Sequence, residues 1–264
     1  MTPQLFTIKL NIQPNNYLKL NGLDARNDID RQPAGLNFYK KHWPSDNRGT
    51  VFIDHGVHGF QLKNILHATG VEDTVTPEKG IKSYNLNGGG AAQSLDLHDD
   101  VRQRFMTFLS ELEDKGWKRM IYYSAPRLTG DDATRYLLEE DSTYTPPENY
   151  ELSLSQWMQL DEPLWQFYVD GVYLGISFKR DRKRMDPEQQ GSYLFSYEIY
   201  GADEMGASQM QPADRVRWKE LWVETVQSLK KHRYLREAVL QSKGYSIDTS
   251  YDDPKIHPAD PVEP

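Results

Sequence analysis

Phe6, Ile8, Leu10 and Ile12 alternate with polar Thr7, Lys9 and Asn11, the period-two pattern of a strand with one buried face. Residues 13–50 then pass through Pro14-Asn15-Asn16, Asn21-Gly22, Pro33 and Pro44 with only small apolar groups such as Leu36-Asn37-Phe38-Tyr39, which reads as irregular surface structure. Val51-Phe52-Ile53 predicts a short strand, and Leu62, Ile65 and Leu66 predict one or two helical turns ending near Gly70. Asn87-Gly88-Gly89-Gly90-Ala91-Ala92 reads as a flexible loop.

Val101, Phe105, Phe108, Leu109 and Leu112 recur at helical spacing, with Asp99 and Asp100 near the positive end of the helix and Gly116 placed to stop it. Met120 to Tyr123 follows as a strand, Thr129-Gly130-Asp131-Asp132 has the form of a capping box opening a helix through Leu138, and Ser153 starts another short helix. Asp170-Gly171 between Trp165-Gln166-Phe167-Tyr168-Val169 and Val172 to Phe178 is a strong hairpin signal, and Tyr193 to Tyr200 adds a third antiparallel strand. Alternation puts only one of Phe167 and Tyr168 on a given face, so either the sheet is covered on both sides or an aromatic row is exposed. Pro212 opens a long helix in which Trp218, Leu221, Trp222, Thr225 and Leu229 share a face.

Strands cluster into hairpins instead of alternating with helices, so the expected class is α+β, an antiparallel sheet with helices packed on one side. The order of helix then strand in both halves suggests two similar subdomains, residues 1–95 and 96–247, followed by a mobile acidic, proline-rich tail over 248–264.

Composition narrows the function classes. An apolar fraction of 38% still builds a core because 16 Tyr, 9 Phe and 6 Trp supply bulky contact area. A net charge of −8 repels phosphate backbones, so nucleic acid is not an expected partner, while a basic protein surface would be attracted. Zero cysteines exclude disulfides, thiol catalysis and cysteine zinc sites. No apolar run is long enough for a membrane span and Met1-Thr2-Pro3-Gln4 lacks the features of a signal peptide; membrane attachment is expected only through a lipid anchor missing ahead of Met1.

The most enzyme-like segment is Asp54-His55-Gly56-Val57-His58, with His67 beyond it, but Gly56 and Gly59 argue for a loop and against a helical metal site. Ser124 has no nucleophile-elbow glycines around it. Gly88-Gly89-Gly90 has neither the preceding strand nor the following Gly-Lys-Ser/Thr of a phosphate loop. Lys179-Arg180-Asp181-Arg182-Lys183-Arg184 places five cations in six residues on an acidic chain. With no catalytic set complete, the expectation is a binding protein without catalytic residues, metal or cofactor.

Residues 116–200 carry a resemblance on Gly116-Trp117-Lys118-Arg119, Tyr122-Tyr123-Ser124-Ala125-Pro126-Arg127-Leu128, Tyr136-Leu137-Leu138, Gln156-Trp157-Met158-Gln159-Leu160 and Trp165 to Leu174. Together these resemble the immunity partners of antibacterial phospholipases delivered by bacterial type VI secretion. The resemblance implies a cognate effector protein as partner, inhibition by occluding its active site, and periplasmic residence if a signal segment has been removed, with the cytoplasm otherwise. Gly88, Gly89, Gly90, Arg180, Arg182 and Arg184 are the candidate partner contacts. Other readings are an adaptor that loads the effector onto its delivery machine and a metal-dependent hydrolase using Asp54, His55 and His58.

Overall fold

In the computed structural model, which describes residues 5–147 and 150–260, the first half runs β1 (Phe6–Ile8), α1 (Pro14–Asn21), β2 (Ile29–Gln32), β3 (Leu36–His42), β4 (Gly49–Ile53), β5 (Phe60–Asp73) and β6 (Ile81–Gly89). The second half runs β7 (Asp96–Leu97), α2 (His98–Asp114), β8 (Lys118–Arg119), α3 (Gly130–Glu139), α4 (Leu154–Gln159), β9 (Leu164–Val169), β10 (Val172–Arg180), β11 (Gln190–Gly191), β12 (Tyr193–Gly201), α5 (Ala202–Ser208) and α6 (Trp218–Ser242). Met1 to Gln4, and the Pro261 and Pro264 end of the expected tail, lie outside the described residues.

The fold is α+β. One mostly antiparallel sheet has the order β1-β4-β5-β6-β12-β10-β9-β8, with β3 also pairing β5 and β2 pairing β3; only β1 and β4 are parallel. β6 of the first half pairs β12 of the second from Ser83↔Tyr200 to Gly89↔Leu194, so the sheet runs straight across the expected subdomain boundary at residue 95. The β9–β10 hairpin turns where expected, with Asp170 and Gly171 at φ 43° and 76°, the left-handed values a two-residue turn needs to match strand twist.

One face of the sheet packs on α2 and α4. Phe105, Leu109 and Trp157 bury against Trp165, Phe178 and Phe195, with Phe105 and Trp165 ring centroids 4.6 Å apart. Ser153 caps α4 in a reciprocal capping box with Gln156. The other face is covered at its β9–β10–β12 end, where Tyr168, Tyr173 and Tyr200 stack in register beneath α5 and the start of α6. The second aromatic row is therefore enclosed, and towards β3 the same face gives way to His42, Asn85 and Glu198, which are exposed.

Several expectations do not hold. Residues 13–50 are not irregular: α1 inserts the fully buried Tyr17 against Phe6, Tyr39 and Tyr84, and β2 and β3 extend the sheet. Residues 60–73 are one strand, not helical turns. Asn64 sits at φ 61° and the register shifts between Ile65 and His67, so a bulge displaces the alternation by one residue and mimics helical spacing. Gly88 and Gly89 belong to β6 and are not in a flexible loop. Sheet pairing beyond β8 is limited to the Met120 N–H donating to the Gln166 carbonyl at 2.7 Å, after which Tyr122 and Tyr123 leave the ladder. α3 forms as expected, but the Thr129 side chain makes no capping bond; Asp132 accepts instead from Ser246 N at 2.7 Å.

The expected mobile tail is bound down over residues 248–260. Asp253 meets both Arg233 (2.8 Å) and Lys230 (3.0 Å), Tyr251 Oη accepts from Ile121 N at 2.7 Å, and Tyr123 Oη donates to the Pro254 carbonyl at 3.0 Å. Its acidic composition serves cations that α6 buries on its core-facing side. Among the described residues no helix is long and apolar enough to cross a membrane.

Candidate partner-binding surface

The three glycines sit where backbone approaches side chains closely. A Cβ on Gly88 would stand 2.9 Å from the Asn64 carbonyl oxygen, and one on Gly90 would stand 3.0 Å from Val101 Cγ1 and 3.1 Å from Tyr193 Cβ. The glycine run thus lets β6 pass under α2 beside the β5 bulge. Beyond it, Arg48 bonds the carbonyls of Ala91 and Gln93, the latter at 3.2 Å, and Arg104 pairs with Asp96. Two arginines tether a segment that composition alone presents as loose.

Most of the basic run is also engaged. Arg180 donates to the carbonyl of Trp157 at 3.0 Å and to that of Leu160, satisfying the C-terminal end of α4, and its burial pulls its pKa below the ordinary arginine value. Lys179 pairs with Glu162 at 3.2 Å, Arg182 with Asp161 at 3.0 Å and Arg184 with Asp181 at 3.6 Å. Arg180 is therefore a packing residue. Arg182 and Arg184 remain on the surface, where ion pairs are weak and a partner carboxylate can exchange with the internal one.

The two sequence-predicted segments come together at one end of the sheet. β7 and β11 form a two-residue ribbon, Leu97↔Gln190 and Asp96↔Gly191, that joins the chain after the glycines to the basic β10–β12 connection. His98 closes the ribbon, with Nδ1 2.5 Å from Tyr193 Oη and Nε2 3.0 Å from the Arg184 carbonyl. The Arg184 carbonyl can only accept, so neutral His98 carries its proton on Nε2 and its Nδ1 accepts from the Tyr193 hydroxyl, whose oxygen accepts in turn from Trp157 Nε1 at 2.9 Å. Burial accordingly holds His98 below its usual pKa of 6.5.

Gly89 and Gly90 also end a groove of about 470 Å³ between α2 and the β5–β6–β12 face. Its floor is Leu62, Phe105, Phe195 and Tyr197, all buried, and its rim is exposed Gln61, Lys63, Asp100, Gln103, Arg104, Thr107 and Glu111. Tyr197 is 8% exposed, and its hydroxyl bonds none of the described residues. Burial pushes its phenol well above the ordinary range, so it keeps its proton and can donate a hydrogen bond at any working pH. The hydroxyl is not among the buried polar atoms left without a partner, so water reaches it from the groove, and a ligand acceptor placed there would take over that water's hydrogen bond. Sequence reading missed this floor because Phe108, Phe195 and Tyr197 look like ordinary core-facing periodicity.

The enzyme-like segments are arranged otherwise. Asp54 pairs with Lys9 at 2.9 Å, His55 Nε2 donates to the Val169 carbonyl at 3.2 Å, and His58 lies between the Lys115 carbonyl (2.5 Å) and Asp170 (3.1 Å). These contacts staple the 54–58 turn to the hairpin turn and to the end of α2. Among the described residues no three His, Asp or Glu side chains converge to hold a metal ion. Asp54 and His55 line a crevice of about 570 Å³ whose charges include the Lys79–Asp203 pair at 2.7 Å and Glu204, which burial raises above its usual pKa. Ser124 lines a cavity of about 330 Å³ with Tyr144 and Arg236, and no histidine is among its lining residues. No protein-family model, no curated protein and no solved structure matches the chain.

Proposed function

We propose that this protein is a non-catalytic immunity protein that binds a cognate secreted antibacterial toxin of phospholipase type and occludes its active site. The observation that carries the binding role is the open groove beside Gly89 and Gly90, with an aromatic floor and the Tyr197 hydroxyl, which bonds none of the described residues. Specific interfaces are centred on such desolvated aromatic pockets, surrounded by polar groups that exclude water. The ribbon-joined loop bearing Arg182 and Arg184 flanks the same end of the sheet, and the −8 net charge would steer a basic toxin surface towards the molecule. The toxin class comes from the resemblance in residues 116–200.

Co-expression with the product of the adjacent gene, followed by affinity purification and a phospholipase assay, tests the reading. Co-purification with loss of lipase activity is expected. Binding with activity intact would replace inhibition by an adaptor role, and absence of binding would remove the proposal.

A further inference from the structure

The groove's chemistry restricts what can occupy it. Its floor is a run of rings, Phe105 to Phe195 at 5.3 Å and Phe195 to Tyr197 at 6.3 Å, with half-buried Phe108 standing edge-on to Tyr197 at 6.5 Å and 89°. An incoming ring can therefore meet both faces and edges, the offset and T-shaped contacts aromatic pairs prefer. The rim carries both signs, Lys63 and the Asp96-paired Arg104 together with Asp100 and Glu111, and also the amides of Gln61 and Gln103. A charged side chain would lose hydration over the aromatic floor and meet like as well as opposite charge at the rim. An uncharged ring loses only unfavourable contact with water.

The groove's openness also points to a protein occupant. Every rim residue named above is exposed while the floor is buried, so the groove lies open to solvent above its floor. Small-molecule sites enclose about 70–90% of their ligand. A trough that leaves one side uncovered suits a side chain supported from behind by its own fold. The protonated Tyr197 phenol supplies one donor in reach of that segment's backbone, whose carbonyls are the commonest acceptors a protein loop presents.

We propose that this groove is the anchor site for the toxin, taking one uncharged aromatic side chain from a protruding segment, with the Tyr197 hydroxyl donating to a backbone carbonyl of that segment. The identity of the occupant rests on the toxin-binding reading, whereas its chemistry rests on the groove alone.

The two parts are tested separately. Isotope-labelled full-length protein is titrated by NMR with N-acetyl-phenylalaninamide and N-acetyl-tryptophanamide, each a neutral ring flanked by backbone amides. Saturable shifts confined to residues 61–64, 100–111 and 195–197 are expected, with affinity about fivefold weaker in Tyr197→Phe, the order of one neutral hydrogen bond. Thr107→Trp, at an exposed helical rim position, is expected to abolish them, with Gln103→Trp as the second rim-blocking variant should the first not fold. No shifts up to the solubility limit, or equal shifts from N-acetyl-lysinamide or N-acetyl-aspartamide controls, would overturn the groove chemistry. Unchanged affinity in Tyr197→Phe would overturn the hydroxyl's role. In the pull-down, toxin captured equally well by the rim-blocked and original proteins would overturn the anchor while leaving toxin binding intact. A toxin that ignores the protein while the probes still bind would instead remove the occupant's identity and keep the groove's ligand class.

Discussion

Replacing Asp253 by Asn should destabilise the protein more than any surface substitution, because it removes the anion from a buried cluster of two cations. The Arg233 side chain is 0% exposed and Asp253 6%; the pair is bidentate, with Nη1 to Oδ2 at 2.8 Å and Nη2 to Oδ1 at 2.9 Å. Lys230, 10% exposed at its side chain, reaches the same carboxylate at 3.0 Å. Arg233 also donates to the Ala125 and Tyr122 carbonyls, so it joins α6, the 121–127 segment and the strap over 248–260. Asn fills the same space but removes the negative charge that the fully buried Arg233 guanidinium faces. Breaking a buried pair from one side costs about 3–5 kcal/mol. At about 2–4 °C per kcal/mol for a chain of this size, the melting temperature should fall by roughly 6–20 °C. Urea denaturation of the two proteins measures the loss, and a double-mutant cycle with Arg233→Met should show coupling of about 0.5–3 kcal/mol. A loss under about 1 kcal/mol for Asp253→Asn would refute the view that this carboxylate pins the strap.

Further outcomes follow from other sites. Gly88→Ala should cost about 1–3 kcal/mol in urea denaturation through overpacking against the Asn64 carbonyl, whereas a loop glycine would tolerate the change. Ser153→Ala should cost about 1 kcal/mol by removing the α4 cap, read from the same transition. His98 and His67 both have pKa values below 6.5: burial lowers each, helped by the Arg180 charge at His98 and by His42 and Lys40 at His67. The unfolded chain therefore binds more protons below pH 6.5, and the contribution present above that pH is lost as pH falls through the folded values. Melting temperature should drop on acidification from pH 7 towards pH 5, and His98→Gln should flatten that profile.

How much could be read in advance follows the range of the interactions involved. The β9–β10 hairpin, α2 and the body of α6 depend on local signals, namely Asp170-Gly171, a continuous apolar stripe ended by Gly116, and Trp218 and Trp222 on one face, and each was legible; the expected start was not, because Pro212–Arg217 forms a separate 3-10 turn and α6 begins at Trp218. β5 was not, because the Asn64 bulge breaks strand alternation in a way that copies helical spacing. α1 hides because only Tyr17 on it is buried; its remaining signals are Pro14 at its start and the left-handed Gly22 at its end. The candidate site was half legible. Composition drew attention to Gly88–Gly90 and to the basic run, and the structure brings both to one end of the sheet. It could not show that Gly88 is required by close packing, or that Arg180 and Arg182 meet Leu160 and Asp161 some twenty positions earlier. One available signal went unused: Lys230, Arg233 and Glu237 continue the buried face of Trp222 and Val226, and charges on a core-facing stripe call for partners elsewhere in the chain. Arg127 and Asp253 are those partners.

Stoichiometric titration of the effector's phospholipase activity with this protein tests the central claim most directly. Occlusion by a tight one-to-one complex predicts a linear fall in activity that reaches baseline at one equivalent, with the Thr107→Trp variant shifted far to the right. Undiminished lipase activity at a large excess of correctly folded protein would contradict the account.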